Sequence, residues 1–230
     1  MSLRLLRSWK DGKAQHAGTL EDYANLADGL LALYQATFEE RFFVAARELG
    51  DAILEHFEAP DGGFFDTADD AEELMARPRS LQDNAVPSGG AMATTALLRL
   101  AAFTGEGRYR TAAERALAPI VGIAAQHPTG FAQWLTAYAL ASNPIDEIAI
   151  VGDPAEEDTK ALLKVARAGF RPSQVIAVAA DPKASAVPLL HDRERLGGAA
   201  TAYLCRGFAC QRPTTEPDEL ASQLEAARSS

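Results

Sequence analysis

Apolar positions recur at three- and four-residue steps from Leu20 onward: Leu20, Tyr23, Leu26, Ala27, Leu30, Leu31 and Tyr34. That spacing predicts a first long helix starting near Thr19 or Glu21. Thr37-Phe38-Glu39-Glu40 reads as a short turn. Phe42, Ala45, Ala46, Leu49, Ile53 and Phe57 then share one face of a second helix, stopped by Pro60-Asp61-Gly62-Gly63. Phe64–Thr67 looks extended, and a long loop follows over roughly 68–87. Ser88 is placed to cap a third helix, and Gly89-Gly90 allow close backbone approach there. The run Ala91–Phe103 is nearly apolar all round except for Arg99, which predicts a buried helix. A fourth helix is expected over about 108–126 and a fifth over about 131–142. Ahead of these, Leu3–Trp9 has a helix-like run, followed by the turn signal Asp11-Gly12.

The helical part repeats. Displaced by 67 positions, Leu30–Phe64 lies on Leu97–Phe131 without a gap, with 11 identical pairs among 35. Leu30/Leu97, Thr37/Thr104, Arg41/Arg108, Ile53/Ile120 and Phe64/Phe131 are among them. A fixed period of this kind marks stacked supersecondary units, here helical hairpins.

The pattern changes at Asn143-Pro144. Glu147–Val151 and Gln174–Ala179 are β-branched runs that read as strands, with an amphipathic helix between them. This is a βαβ unit, and its crossover is expected to be right-handed. A third strand over Thr201–Cys205 and a last helix from Pro217 to about Ala227 complete the region. The expected fold is therefore mostly α: α/α hairpins over 1–143, then a small α/β domain of about three strands over 144–230.

Composition narrows the function classes. The chain has 230 residues and a formal net charge of −10. A negative field disfavours nucleic acid and anionic membrane surfaces as partners. No run approaches the length of a membrane span, and the N-terminus has no apolar core of signal-peptide length. A cytoplasmic location is expected, and two cysteines, Cys205 and Cys210, suit a reducing compartment. They are five apart and follow a strand; they read either as a reversible disulfide or, more plainly, as two ordinary thiols. His16, His56, His127 and His191 have no ligand partner at helical spacing, so no metal site is expected. Gly152-Asp153-Pro154 lacks the glycine pattern of a nucleotide loop, and no cofactor is expected.

Several strings together carry a family resemblance. They are Asp11-Gly12-Lys13 with Leu20–Ala24, Gly62–Thr67, Arg77-Pro78-Arg79, Asp83–Gly89 and Ala202–Cys210. The chain resembles the C-terminal part of the YyaL-like, or spermatogenesis-associated protein 20, family. The resemblance implies a stretch of an (α/α)6 barrel similar to six-hairpin glycosidases and sugar epimerases. It also implies that the family's thioredoxin-like domain and the first half of the barrel have no counterpart in these residues. A binding or structural module is the first expectation, a carbohydrate-active enzyme the second, and a redox accessory using Cys205 and Cys210 the third. The all-apolar third helix asks for more neighbours than five helices supply, so a homo-oligomer, or a missing N-terminal half, is the expected partner.

A sugar or small polar ligand would meet the residues at the helix starts. Asp22, Asp66 and Asp83 are the candidate catalytic carboxylates, since paired carboxylates divide acid and base roles in glycoside chemistry. Asp22 has a competing role as a helix cap. Arg77, Arg79, Asn84 and Ser88 are candidate ligand-binding residues, because arginine forks and a helix N-terminus suit anionic or polyhydroxy groups. Trp134, near Phe131 and Tyr138, is a candidate sugar floor that also fits a core position.

Overall fold

A computed structural model describes residues 4–71 and 76–228. Among them are eight α-helices and six strands, which gives a mostly helical chain with a small α/β part. The chain forms two compact units. The first takes Met1–Ala32, Arg41–Ala101 and Glu106–Ser142, and the second takes Leu33–Glu40, Ala102–Gly105 and Asn143–Ser230.

The first unit opens with an antiparallel hairpin of β1 (Leu6–Lys10) and β2 (Lys13–Ala17), not with a helix. Asp11 and Gly12 both adopt left-handed backbone (φ 51° and 75°). A two-residue hairpin turn requires that conformation at both positions, and Asp-Gly supplies it at low cost. The turn chemistry therefore overrides the helix-like spacing of Leu3–Trp9; Met1–Leu3 lie outside the described residues.

Five longer helices follow, α1 (Leu20–Thr37), α2 (Glu40–His56), α3 (Gly89–Thr104), α4 (Gly107–Leu117) and α6 (Ala132–Ser142), with the short α5 (Val121–Gln126) before α6. The sequence repeat is visible in the backbone. Thr37 and Thr104 end α1 and α3, and Glu40 and Gly107 begin α2 and α4. The expected single helix over 108–126 is broken at residues 118–120. Pro119 is the cause, standing where the first repeat has Ala52 in mid-helix. A proline there lacks the N–H and collides with the preceding turn.

Buried Leu20, Tyr23, Ala27 and Leu31 of α1 and Ala46, Leu49 and Ile53 of α2 follow the predicted faces, but Leu26 is 44% exposed, and at the start of α2 the buried phenylalanine is Phe43, with Phe42 and Ala45 only half-buried. Gly50 lets α2 approach α3: a Cβ there would lie 2.3 Å from Leu100 Cδ1. Nearly every residue of α3 is buried in the single chain, so α3 needs no second copy to cover it. Its one arginine, Arg99, is paired with Asp28 of α1.

The second unit is built on a sheet of order β4-β3-β5-β6, using β3 (Asp146–Val151), β4 (Gln174–Ala179), β5 (Thr201–Arg206) and β6 (Ala209–Cys210). The three expected strands are β3, β4 and β5; the two-residue β6 is an addition at the edge. β3 pairs parallel with β4, through α7 (Glu157–Ala166), and antiparallel with β5. Ile148, Ile150, Ile176 and Val178 of the sheet pack in one core with Leu162 and Leu163 of α7 and with Leu220 and Leu224 of α8 (Pro217–Arg228).

Candidate functional site

The N-termini of α1 and α3 meet in the first unit. A Cβ on Gly89 would lie 3.0 Å from the Glu21 backbone nitrogen, so glycine lets the two helix starts approach this closely without displacement. At the start of α1 the Thr19 N–H and hydroxyl both donate to Asp22 Oδ2, at 2.8 and 3.0 Å. This is the acid's half of a capping box, in which the carboxylate at the third helical position reaches back to the residue before the helix. The Leu20 N–H donates to the Asp66 carbonyl (2.9 Å), which ties the start of α1 to the loop after α2.

Asp83 holds two helix starts. Its Oδ1 accepts the Ser88 N–H and its Oδ2 the Gln133 N–H, both at 2.8 Å. Asp66 Oδ2 accepts the N–H and hydroxyl of Ser80, at 2.9 and 2.7 Å, while Oδ1 has no partner among the described residues. Ser88 stands at the predicted cap of α3, but its side chain does not cap. The residue is 6% exposed, and its Oγ makes no hydrogen bond among the described residues. A buried hydroxyl left in this state costs about 1–3 kcal/mol.

These residues surround a cleft of about 320 Å³ whose polar lining includes Arg7, Glu21, Asp66, Gln82, Asn84 and Ser88. Of the candidate site residues, Asp66, Asn84 and Ser88 line this cleft. Asp22 and Asp83 serve as caps instead, through the bonds just described. Glu21 is the carboxylate of α1 that lines the cleft. The signal was present in Thr19-Leu20-Glu21-Asp22: a capping box turns its acid back to the cap and leaves the preceding residue outward. Gln82 and Arg7 carried no comparable signal, because a loop and a hairpin bring them in.

The two arginines are engaged elsewhere. Arg77 donates to the carbonyls of His56 and Thr67, and Arg79 forms a two-pronged pair with Asp61 at 2.5 and 3.1 Å. Both guanidinium groups lie over the Phe65 ring, at 4.1 and 4.5 Å. The bond from Arg79 holds the Asp61 carboxyl below its ordinary range. Trp134 is 2% exposed, and its indole N–H donates to the Leu81 carbonyl (2.7 Å). It lines a second, more apolar cleft of about 220 Å³ with Arg79, Leu81 and Ile120.

Folding also assembles a group that spacing did not show. His56 Nδ1 lies 2.8 Å from Asp69 Oδ1, and Asp70 adds a further carboxylate. Arg4 pairs with Asp70 and reaches within 3.2 Å of His56 Nε2, so a guanidinium offsets one of the two carboxylate charges.

No family model matches the chain. Over 213 residues, 90% of this chain, it is 32% identical to spermatogenesis-associated protein 20 of Mus musculus. The protein of that name from Homo sapiens matches to the same extent. An uncharacterized protein of Caenorhabditis elegans is 26% identical over 205 residues, 87% of this chain. The chain is thus similar, over most of its length, to one part of spermatogenesis-associated protein 20. It spans about a quarter (27%) of the length of the curated relatives it matches. Among the described residues, no helix is long and apolar enough to cross a membrane.

Proposed function

We propose that this chain is a ligand-binding module of the spermatogenesis-associated protein 20 family, and that its cleft at the starts of α1 and α3 takes a neutral polyhydroxy ligand of the sugar class. The observation that carries this reading is a cleft that Ser88 and Asp66 both line, with the Ser88 hydroxyl buried behind its wall and without a partner among the described residues. Carboxylates accept bonds from ligand hydroxyls, while Ser88, Asn84 and Gln82 both donate and accept. Glu21 and Asp66 face one cation, Arg7, so an anionic ligand gains little there. The tandem hairpins support reading the first unit as a stretch of an α/α toroid.

The test is calorimetric titration of the whole chain with mono- and disaccharides, repeated on Ser88→Ala. A structural serine and a ligand-binding serine behave oppositely here. Removing an unpaired buried hydroxyl should leave the melting temperature unchanged or raised, while ligand affinity falls about 5- to 20-fold. Failure of every sugar to bind at millimolar concentration would overturn the proposal.

One observation favours a second reading, a carbohydrate-active enzyme: Glu21 and Asp66 place two carboxylates on the same cleft. Release of the aryl leaving group from activated glycosides, abolished in Glu21→Gln with binding retained, is the expected result for that reading.

A further inference from the structure

Cys205 and Cys210 face each other across β5 and β6 and are joined as a disulfide. The two sulfurs have unlike surroundings. Cys205 is 1% exposed, whereas Cys210 lies on the open edge strand and is exposed. A cleft of about 450 Å³, lined by His191, Arg193, Tyr203, Phe208 and Cys210, opens on that side.

Arg193 is the notable neighbour. It is 8% exposed, and its Nη2 lies 3.3 Å from Cys205 Sγ and 3.2 Å from Cys210 Sγ. Its Nη1 donates to the His191 carbonyl (3.0 Å), its guanidinium sits 5.7 Å from the centre of the Tyr203 ring, and its Nε has no partner among the described residues. The nearby carboxylate of Glu147 is engaged by the N–H groups of Gly207 and Phe208, at 3.1 and 2.8 Å. A buried guanidinium thus rests against two neutral sulfur atoms, which are weak acceptors. The Glu147 and Asp192 carboxylates act on this cation through space, and a thiolate at either sulfur would add a counter-charge in direct contact with it.

We propose that Cys205–Cys210 is an exchange-active disulfide whose co-reactant is a dithiol, with Arg193 holding the Cys205 thiolate that leaves. One thiolate of the dithiol attacks Cys210 Sγ, the sulfur reachable from the cleft. A new sulfur–sulfur bond forms to Cys210, the Cys205–Cys210 bond breaks, and its electron pair stays on Cys205 Sγ beside Arg193. The second thiolate of the dithiol then attacks the dithiol's own first sulfur and releases Cys210 as thiolate. The dithiol is oxidised to its disulfide, the protein disulfide is reduced by two electrons, and the two protons go to the thiolates or to solvent. A leaving sulfur stabilised as thiolate departs faster.

Reduction of the folded chain by dithiothreitol, quenched with an alkylating agent and read by mass, tests the proposal. Arg193→Lys, which keeps the charge, should stay close to the natural rate, and Arg193→Gln should be slower by about tenfold. Equal rates for the natural chain and Arg193→Gln would overturn the proposal. A second measurement leaves Arg193 in place. In Cys210→Ser, Cys205 is the sole thiol, and its ionisation is followed by absorbance at 240 nm. Burial and the facing groups Glu147, Tyr203 and Asp192 oppose the thiolate, so a value at least about one unit below the ordinary 8.5 reports the influence of Arg193. A value at or above the ordinary one also sinks the assignment.

Discussion

Asp83 and Glu147 each hold two backbone N–H groups with their two carboxylate oxygens, in different settings. Asp83 is half-buried at the meeting of two helix starts. Glu147 lies inside β3 at 4% exposure, where burial pushes its carboxyl up from the usual value of 4.5 against the pull of the Phe208 and Gly207 N–H groups and Arg193. The sign of the consequence follows from proton binding. As pH rises from 4.5, the unfolded chain releases this proton before the folded one does. The folded state therefore holds more protons, and stability falls with rising pH through that window. Glu147→Gln should flatten this part of the profile, read as the difference in urea midpoint between weakly acidic and neutral buffer. An unchanged slope would mean that the carboxyl titrates alike in both states.

Among the elements, the two hairpin turns differ most in chemistry while sharing one shape. Phe38 and Gly105, 67 positions apart, both take the left-handed conformation, with φ of 58° and 71°. Glycine adopts it freely, whereas phenylalanine bears a steric cost, partly offset by its edge contact with Tyr34 at 6.0 Å. At Gly105 a Cβ would also meet the Phe208 ring at 3.0 Å. Gly105→Ala is accordingly expected to cost about 1–2 kcal/mol in a urea titration, with strain and the displaced ring both contributing. Much of the helical architecture was legible because periodicity and repeat act over many residues at once. The ends of α1 and α3 fall where Thr37 and Thr104 predicted. Errors came where one residue outweighed its window: Pro119 split a helix, and Asp11-Gly12 turned an apparent helix into a hairpin. The site was legible less evenly. Asn84, Ser88 and Asp66 lie in one loop system and its adjoining cap, so their sequence neighbourhood survives folding. Arg77 and Arg79 looked free only because the carbonyls and the Asp61 that claim them lie 10 to 21 positions away. His56 meets Asp69 by the same kind of loop closure.

For the molecule as a whole, burial of α3 removes the reason first found for self-association. Exposed apolar side chains among the described residues include Phe170 at 83% and, on the β1–β2 hairpin, which is exposed throughout, Trp9 at 73% and Leu6 at 54%. Sedimentation velocity at micromolar concentration is expected to show a dimer that Trp9→Lys dissociates; a natural chain that sediments as a monomer discards the idea. The two tryptophans are placed as opposites, and this has a practical consequence. Trp9 is bathed in solvent, while Trp134 is shielded, bonded to Leu81, adjacent in sequence to the Gln133 that Asp83 holds, and packed 3.1 Å from where a Gly90 side chain would begin. Any guest settling at the start of α3 presses on the same short stretch of backbone that seats this indole. The chain thereby carries a built-in optical gauge of occupancy, readable as a change in blue-side emission without any attached dye.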